Sequence, residues 1–227
     1  VHATGTPTVV VLVNGRPLAT RWIADRVPAI VEPWICGEQG GQAVADVLFG
    51  DYNPSGRLPI TVPRHAGQLP VYYNYKPSKE HWLTKAWGKP YADLDSPLPL
   101  FPFGHGLSFT TFEYANLQLD APRIARDGRV AVRADVKNAG NRAGEEVVQL
   151  YLRDVVSSVV TPVMQLRGFA KVRLEPGETK TVTFTLGPEH LALLDQNMRW
   201  IVEPGEFRIM IGRSSQDIRL TASFTVE

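Results

Sequence analysis

Carboxylate side chains are the groups in this sequence whose chemistry most directly suggests catalysis. Two of them on either side of a sugar-binding cleft can serve as acid and nucleophile in the hydrolysis of a glycosidic bond. The candidates are Glu38, Asp51, Glu145 and Glu146. Glu38 suits a helix N-terminus and Asp51 stands among turn-forming residues. Glu145 and Glu146 are neighbours on a predicted strand and should point to opposite faces. We therefore assign no catalytic residue.

Other catalytic and metal-binding patterns are missing from the sequence. The histidines are His2, His65, His81, His105 and His190. No two of them have the spacing of zinc ligands on one helix, and no G-x-S-x-G segment offers a nucleophilic serine. Cys36 is the only cysteine, which excludes an internal disulfide and favours a small buried apolar side chain. The sequence predicts neither a metal site nor a cofactor.

Aromatic residues supply the candidate ligand surface. Residues 64–106 are rich in Tyr, Trp and Pro and have no helical or strand periodicity. The apolar face of a sugar stacks on Trp or Tyr, so Trp82, Trp87 and Tyr91 are our candidates for substrate binding. Packing of this connector between two domains explains the same residues equally well.

Residues 34–63 are the most informative stretch for the fold. Gly37, Gly40 and Gly41 predict a tight turn into a helix that begins near Glu38 and ends at Gly50. Val44, Val47 and Leu48 recur at helical spacing and should lie on a sheet. The glycines match neither the dinucleotide-binding fingerprint nor a P-loop, so we interpret them as packing residues rather than a phosphate site.

The periodicity of the sequence changes along the chain and predicts two kinds of structure. Residues 1–63 follow an α/β pattern, in which strands 9–13 and 29–31 should be parallel neighbours with the helix on one face. Residues 64–106 form the connector. Residues 107–227 predict an all-β sandwich of the fibronectin type III kind, with a helical turn within 188–194. Its seven strands are expected at 114–119, 129–136, 145–152, 166–174, 179–186, 207–211 and 218–226.

Composition limits the range of partners. The 227 residues include 24 Lys and Arg against 23 Asp and Glu, for a net charge of +1. Without a basic block, neither nucleic acid nor an anionic membrane is an expected partner. The sequence has no run of eighteen apolar residues, so it predicts no membrane-spanning helix. Two or three strands are too few for an α/β domain, so we expect the first part to complete a larger sheet.

Several linked motifs resemble the C-terminal part of glycoside hydrolase family 3, most closely its bacterial periplasmic β-glucosidases. They are WICGEQGG (34–41), ADVLFGDYNPSGRLPITVP (45–63), QLPVYY (68–73), FPFGHGLSFTTF (101–112), QLRGF (165–169), LEPGE (174–178) and EPGEF (203–207). The likeness covers nearly the whole chain. Cys36 stands where relatives commonly have Gly, Ala or Pro.

The resemblance implies a three-part enzyme with a barrel, an α/β sandwich and a fibronectin type III-like domain. This chain is similar to the end of the second part followed by the third. In the family the aspartate nucleophile and the glutamate acid/base lie upstream of strand 9–13, so no catalytic role is carried over.

The implied complete enzyme is a retaining, exo-acting β-glycosidase, most closely a β-glucosidase, located in the periplasm or secreted. Its substrate would be a β-glucoside or oligosaccharide. The chain's partners would be the missing barrel and the remainder of the α/β sandwich, or a second copy in a homodimer. The alternative is a non-catalytic carbohydrate-binding, docking or dimerisation module.

Overall fold

The computed structural model describes residues 1–77 and 96–227. Its first part contains strands β1 (Val9–Val11) and β2 (Ala29–Val31) and helices α1 (Arg21–Arg26) and α2 (Gly40–Phe49), with 3-10 turns at His2–Thr4 and Ala66–Gln68. β1 and β2 are parallel, with Val9 beside Ala29 and Val11 beside Val31. The predicted parallel pairing is confirmed.

Helix α2 begins two residues later than expected. The Gly40 N–H donates to the Gly37 carbonyl oxygen at 2.9 Å, so a turn occupies residues 37–40 and Glu38 lies before the helix. The first helical turn therefore holds no acidic residue. The helix ends as predicted at Gly50, which has a φ of 84° and the left-handed conformation that glycine adopts without steric cost.

The apolar side of α2 is only partly covered. Val44 and Val47 are half-buried, whereas Leu48 is 44% exposed and Phe49 is 84% exposed. The prediction that Val44, Val47 and Leu48 all lie on a sheet is therefore wrong for Leu48.

The second part is a β-sandwich. Its strands are β3 (Phe112–Leu119), β4 (Arg123–Ile124), β5 (Val130–Asn138), β6 (Gly144–Asp154), β7 (Gln165–Leu174), β8 (Thr179–Leu186), β9 (Leu193–Leu194), β10 (Trp200–Ile201), β11 (Gly205–Gly212) and β12 (Ile218–Val226), and helix α3 is Pro188–Leu191. One sheet has the order β4-β12-β11-β6-β7 and the other β3-β5-β8, while β9 and β10 form a small hairpin. All seven predicted strands and the helical turn are present, and β4, β9 and β10 were not predicted.

The core lies between the two sheets, and β6 is covered on both of its faces. Val148, Leu150 and Leu152 face the core, while the alternate residues Gln149 and Tyr151 are buried on the outer face. Residues of the first part and of the connector supply that outer cover. Among the described residues, no helix is long and apolar enough to span a membrane.

Candidate functional site

The loop that follows α2 is docked on the sandwich through Asn53. Its Nδ2 donates to the Ala143 carbonyl oxygen at 3.0 Å. Its Oδ1 accepts from Ser108 Oγ at 2.9 Å and from the Phe109 N–H at 2.7 Å. One amide side chain thus fixes the loop against the start of β6 and against the segment that leads into β3.

Glu145 anchors the same loop on the outer face of β6. Its Oε2 pairs with Lys171 Nζ at 2.7 Å and accepts from Ser55 Oγ at 3.1 Å. Tyr52 OH lies 3.4 Å from the same oxygen. The hydrogen bond from Lys171 lowers the pKa of Glu145, which keeps this carboxylate ionised and bound to its partners.

Glu146 lies on the opposite face and is fully buried. Its Oε2 accepts from Arg57 Nη2 at 2.7 Å, and its Oε1 accepts from Tyr114 OH at 2.7 Å and lies 3.4 Å from Arg213 Nε. Burial, and then the adjacent Glu146 charge, raise the pKa of Tyr114, so the hydroxyl stays protonated and donates. We call Arg57, Tyr114, Glu146 and Arg213 the interdomain charge cluster.

Neither glutamate is available for acid-base chemistry. Both oxygens of Glu146 are occupied, and Glu145 is held by an ammonium and two hydroxyls. Their predicted placement on opposite faces is confirmed. His105 is close to the interdomain charge cluster, where burial and then Arg57 and Arg213 lower its pKa and favour the neutral ring. We therefore assign structural rather than catalytic roles to Glu145, Glu146 and His105.

The sequence contains one signal for this cluster. Glu146 has the same strand parity as the core residues Val148 and Leu150, so alternation alone predicts that its side chain faces the core. A charge at such a position needs a buried partner. The identity of that partner, Arg57, does not follow from spacing.

Tyr73 is an aromatic residue of the connector with a packing role in the structure. Its ring stacks on Phe103 with centroids 4.1 Å apart and meets Tyr151 edge-on at 5.9 Å. The Leu166 N–H donates to its hydroxyl at 3.2 Å. Tyr73 therefore packs the connector onto the outer face of β6 and β7. The candidates Trp82, Trp87 and Tyr91 lie outside the described residues.

A cleft of about 850 Å³, which we call the connector cleft, separates the connector from the outer face of β6 and β11. Tyr72 and Tyr75 line it and are 66% and 50% exposed. Its floor includes Arg153 and Arg208, which are directly opposite each other on β6 and β11. Within residues 1–77 and 96–227, neither arginine has a carboxylate within ion-pair distance.

Within residues 1–77 and 96–227, the other sequence candidates do not assemble into a site. No group of three or more His, Cys, Asp or Glu among the described residues could hold a metal ion. Cys36 is half-buried rather than buried, and its Sγ lies 3.4 Å from the Pro33 carbonyl oxygen. Glycine at 40 is required locally, because a Cβ there would overlap the Cys36 side chain. This close contact with Cys36 agrees with the interpretation of Gly40 as a packing residue.

Two family models match the chain. Residues 1–109 match the glycosyl hydrolase family 3 C-terminal domain, and residues 146–215 match a fibronectin type III-like domain.

Relatives match over almost the whole chain. A periplasmic β-glucosidase of Salmonella typhimurium is 47% identical over 96% of this chain and 29% of its own length. A β-xylosidase of Formosa agariphila is 46% identical over 100% of this chain and 31% of its own length. The chain therefore spans less than a third of these relatives.

Solved structures agree with the sequence matches. A β-glucosidase from Erythrobacter marinus has a TM-score of 0.90 at 45% identity, over 100% of this chain and 29% of that one. A β-glucosidase from Listeria innocua in complex with glucose has a TM-score of 0.92 at 36% identity, over 99% and 31%.

The fold and these matches together define the class of protein. The chain is an α/β fragment followed by a fibronectin type III-like sandwich, joined through the docked loop and the interdomain charge cluster. It belongs to glycoside hydrolase family 3, of which it is a C-terminal part.

Proposed function

We propose that the complete protein is a retaining, exo-acting β-glycosidase that removes terminal β-linked glucose. The observation that carries this proposal is the match of almost the whole chain, at 47% identity, to a protein named a periplasmic β-glucosidase. The mechanism would form a glycosyl-enzyme and then hydrolyse it. A β-xylosidase at 46% identity makes terminal xylose the alternative substrate. The name of the first relative supports a periplasmic or secreted location.

Within that enzyme, this chain would brace the catalytic part rather than react. Glu145 and Glu146 are committed to structural contacts, so we assign the acid and the nucleophile to the missing barrel and the remainder of the α/β sandwich. Val13, Ile35 and Phe49 are 70%, 76% and 84% exposed. Exposed apolar groups of this size favour an interface. We propose that the missing part covers them.

We also propose a division of the chain at residues 63 and 106. Residues 1–63 would belong to the α/β sandwich, 64–106 would be the connector and 107–227 the fibronectin type III-like domain. The support is a change in strand pairing. The two strands of the first part are parallel, whereas the two sheets of the last part consist mainly of antiparallel pairs. Limited proteolysis of the complete protein should cut within the connector before it cuts within either flanking part.

We propose that the connector borders the sugar-binding cleft, with Trp82, Trp87 and Tyr91 as contacts. The support is the connector cleft, whose exposed Tyr72 and Tyr75 could stack on a sugar. In the complete protein, Trp82→Ala and Trp87→Ala should weaken binding of longer β-glucosides by roughly 1 to 3 kcal/mol, by analogy with base stacking. Normal kinetics of both variants on disaccharides and longer substrates would exclude this role.

Turnover of aryl glycosides tests the proposed activity. The complete protein should hydrolyse an aryl β-glucoside with retention, faster than the aryl β-xyloside, and the 227-residue chain should hydrolyse neither. Gel filtration of the chain alone should show self-association through its exposed apolar face. Turnover by the isolated chain would place a catalytic group within it. An inactive complete protein would leave the non-catalytic module as the function.

A further inference from the structure

The sandwich contains a cavity of about 520 Å³ at the end where β6 and β11 pair. Its floor consists of the buried side chains Leu152, Leu193 and Phe207. One wall is the β6–β7 loop at 159–162, and the other is the segment from α3 to β9. The cavity has the size and the apolar floor of a site for a small ligand. Apart from Lys76, its lining belongs to the sandwich.

Two charged side chains line the cavity with polar atoms left unpaired. Asp154 Oδ2 and Arg167 Nε are both buried and have no hydrogen-bond partner among the residues that the structure describes. Arg167 is the extra residue of a β-bulge, since Leu150 pairs with Gly168 and the next residue, Tyr151, pairs with Leu166. Bulges of this kind redirect a side chain at functional sites. An acceptor and a donor therefore lack partners at two positions of one cavity.

An indole stands at the rim of this cavity. Trp200 lines it from the β9–β10 hairpin and is 72% exposed. The opposing loop is held in place, because Ser157 Oγ donates to the Val159 carbonyl oxygen at 2.8 Å and the Ser158 N–H donates to Glu203 at 2.9 Å. A fixed wall facing an exposed aromatic ring lowers the entropic cost of binding.

We propose that this cavity binds a neutral sugar residue, with Trp200 stacked on its apolar face and its hydroxyls paired with Asp154 and Arg167. Sugar hydroxyls both donate and accept, so one ring can satisfy a carboxylate and a guanidinium at different positions. A ligand with a single charge would attract either the Asp154 carboxylate or the Arg167 guanidinium and be repelled by the other. The site would bind sugar whether or not the complete protein hydrolyses it.

Isothermal titration calorimetry of the 227-residue chain with cellobiose and with cellotetraose tests this site. We expect saturable binding with a dissociation constant on the order of 1 mM. Trp200→Ala should weaken it by at least about tenfold, since aromatic stacking energies are of that size. Trp200→Phe should keep most of the affinity. Trp22→Ala is the matched control, because Trp22 is 55% exposed on α1 and does not line the cavity.

Circular dichroism would verify that each variant folds. If Trp200→Ala does not fold, Arg167→Met and Asp154→Asn take its place, and each should weaken binding. The site is excluded if cellotetraose does not bind at roughly 20 mM. It is also excluded if Trp200→Ala and Trp22→Ala bind equally well, or if glucuronate or glucosamine binds and cellobiose does not.

Discussion

Arg57 Nη2 donates to Glu146 Oε2 across 2.7 Å, although the two residues are 89 positions apart in the sequence. Their side chains are 6% and 0% exposed. The pair joins the loop after α2 to strand β6. Because a buried carboxylate without a partner is costly, Glu146 makes the fold of the sandwich depend on the first part of the chain. The two parts should therefore unfold together.

Arg57→Met should destabilise the chain strongly. The substitution keeps the apolar stem and removes the charge, so Glu146 is left with only Arg213 and Tyr114. Removing one partner of a buried pair costs on the order of 3 kcal/mol. Thermal unfolding would measure the loss. Arg123→Met is the control, because Arg123 and Glu227 form an exposed pair, and such pairs contribute little. Equal losses from both variants would contradict this role for Arg57.

Gly104→Ala should destabilise the chain more than Gly177→Ala. The two glycines have nearly the same φ, 80° and 78°, so the strain of a left-handed alanine, about 1–2 kcal/mol, is common to both. A Cβ on Gly104 would also overlap Gln149 Oε1, whereas one on Gly177 meets nothing within 4 Å. Gln149 cannot easily move away, since it donates to the carbonyl oxygens of Gly104 and Arg213 and accepts from Tyr151 OH.

Chemical denaturation of the two variants would isolate the steric effect. The difference between their unfolding free energies should exceed about 1 kcal/mol, as expected for overpacking a close contact. If the two free energies agree, Gln149 is more adaptable than its hydrogen bonds suggest.

Local patterns in the sequence predicted the strands better than they predicted the contacts between parts. Residues 179–186 and 218–226 were predicted with their observed bounds, because β-branched residues in alternation mark a half-buried strand. β4 and β9 have two residues each and are too short to carry a period. Helix α2 starts later than predicted because residues 37–40 form a turn first. Glycine can adopt both turn and helical conformations, so its position in the sequence does not decide between them.

The candidate sites were harder to foresee for a physical reason. Asp154 and Arg167 share a cavity because a bulge shifts the register of β7, and register shifts leave no clear mark on alternation. Arg57 reaches Glu146 through the path of a loop rather than through any repeat in the sequence. Only the parity of Glu146 was available in advance, and it predicts burial without naming a partner.

Asp154→Asn should stabilise the chain at neutral pH but not at pH 4. Burial, and then the nearby Glu203, raise the pKa of Asp154 to about 6, while a Val156 N–H opposes the shift. An unfolded aspartate titrates near 3.9, so the folded state binds the proton more tightly between about pH 4 and pH 6. Stability should fall as pH rises through that window. Asparagine stays neutral and avoids the loss.

Melting temperatures of the wild type and of Asp154→Asn, measured from pH 4 to pH 7, test the direction of this pH dependence. The difference should grow with pH and level off above about pH 6. Asp135→Asn is the matched control: hydrogen bonds from Thr181 and Asn116 lower the pKa of Asp135, so this substitution should destabilise the chain, by an amount that hardly varies across this range because the carboxyl titrates below it. A difference for Asp154→Asn that does not vary with pH would show that its carboxyl titrates normally.

Arg208→Glu should stabilise the chain in the absence of ligand. Arg153 and Arg208 are a directly opposed pair on β6 and β11, and like charges in such pairs repel. A glutamate at 208 would replace this repulsion with an ion pair across the floor of the connector cleft, with a gain of about 0.2–1 kcal/mol. The gain should shrink at high salt, since the cleft is open to solvent.

Urea unfolding at low and high ionic strength would measure the effect. Arg173→Glu is the comparison: Arg173 is opposite Glu145 on the β6–β7 pair, so the same substitution there creates a repulsion and should lower stability. If Arg208→Glu destabilises the chain as much as Arg173→Glu does, repulsion between Arg153 and Arg208 does not reduce the stability of the chain.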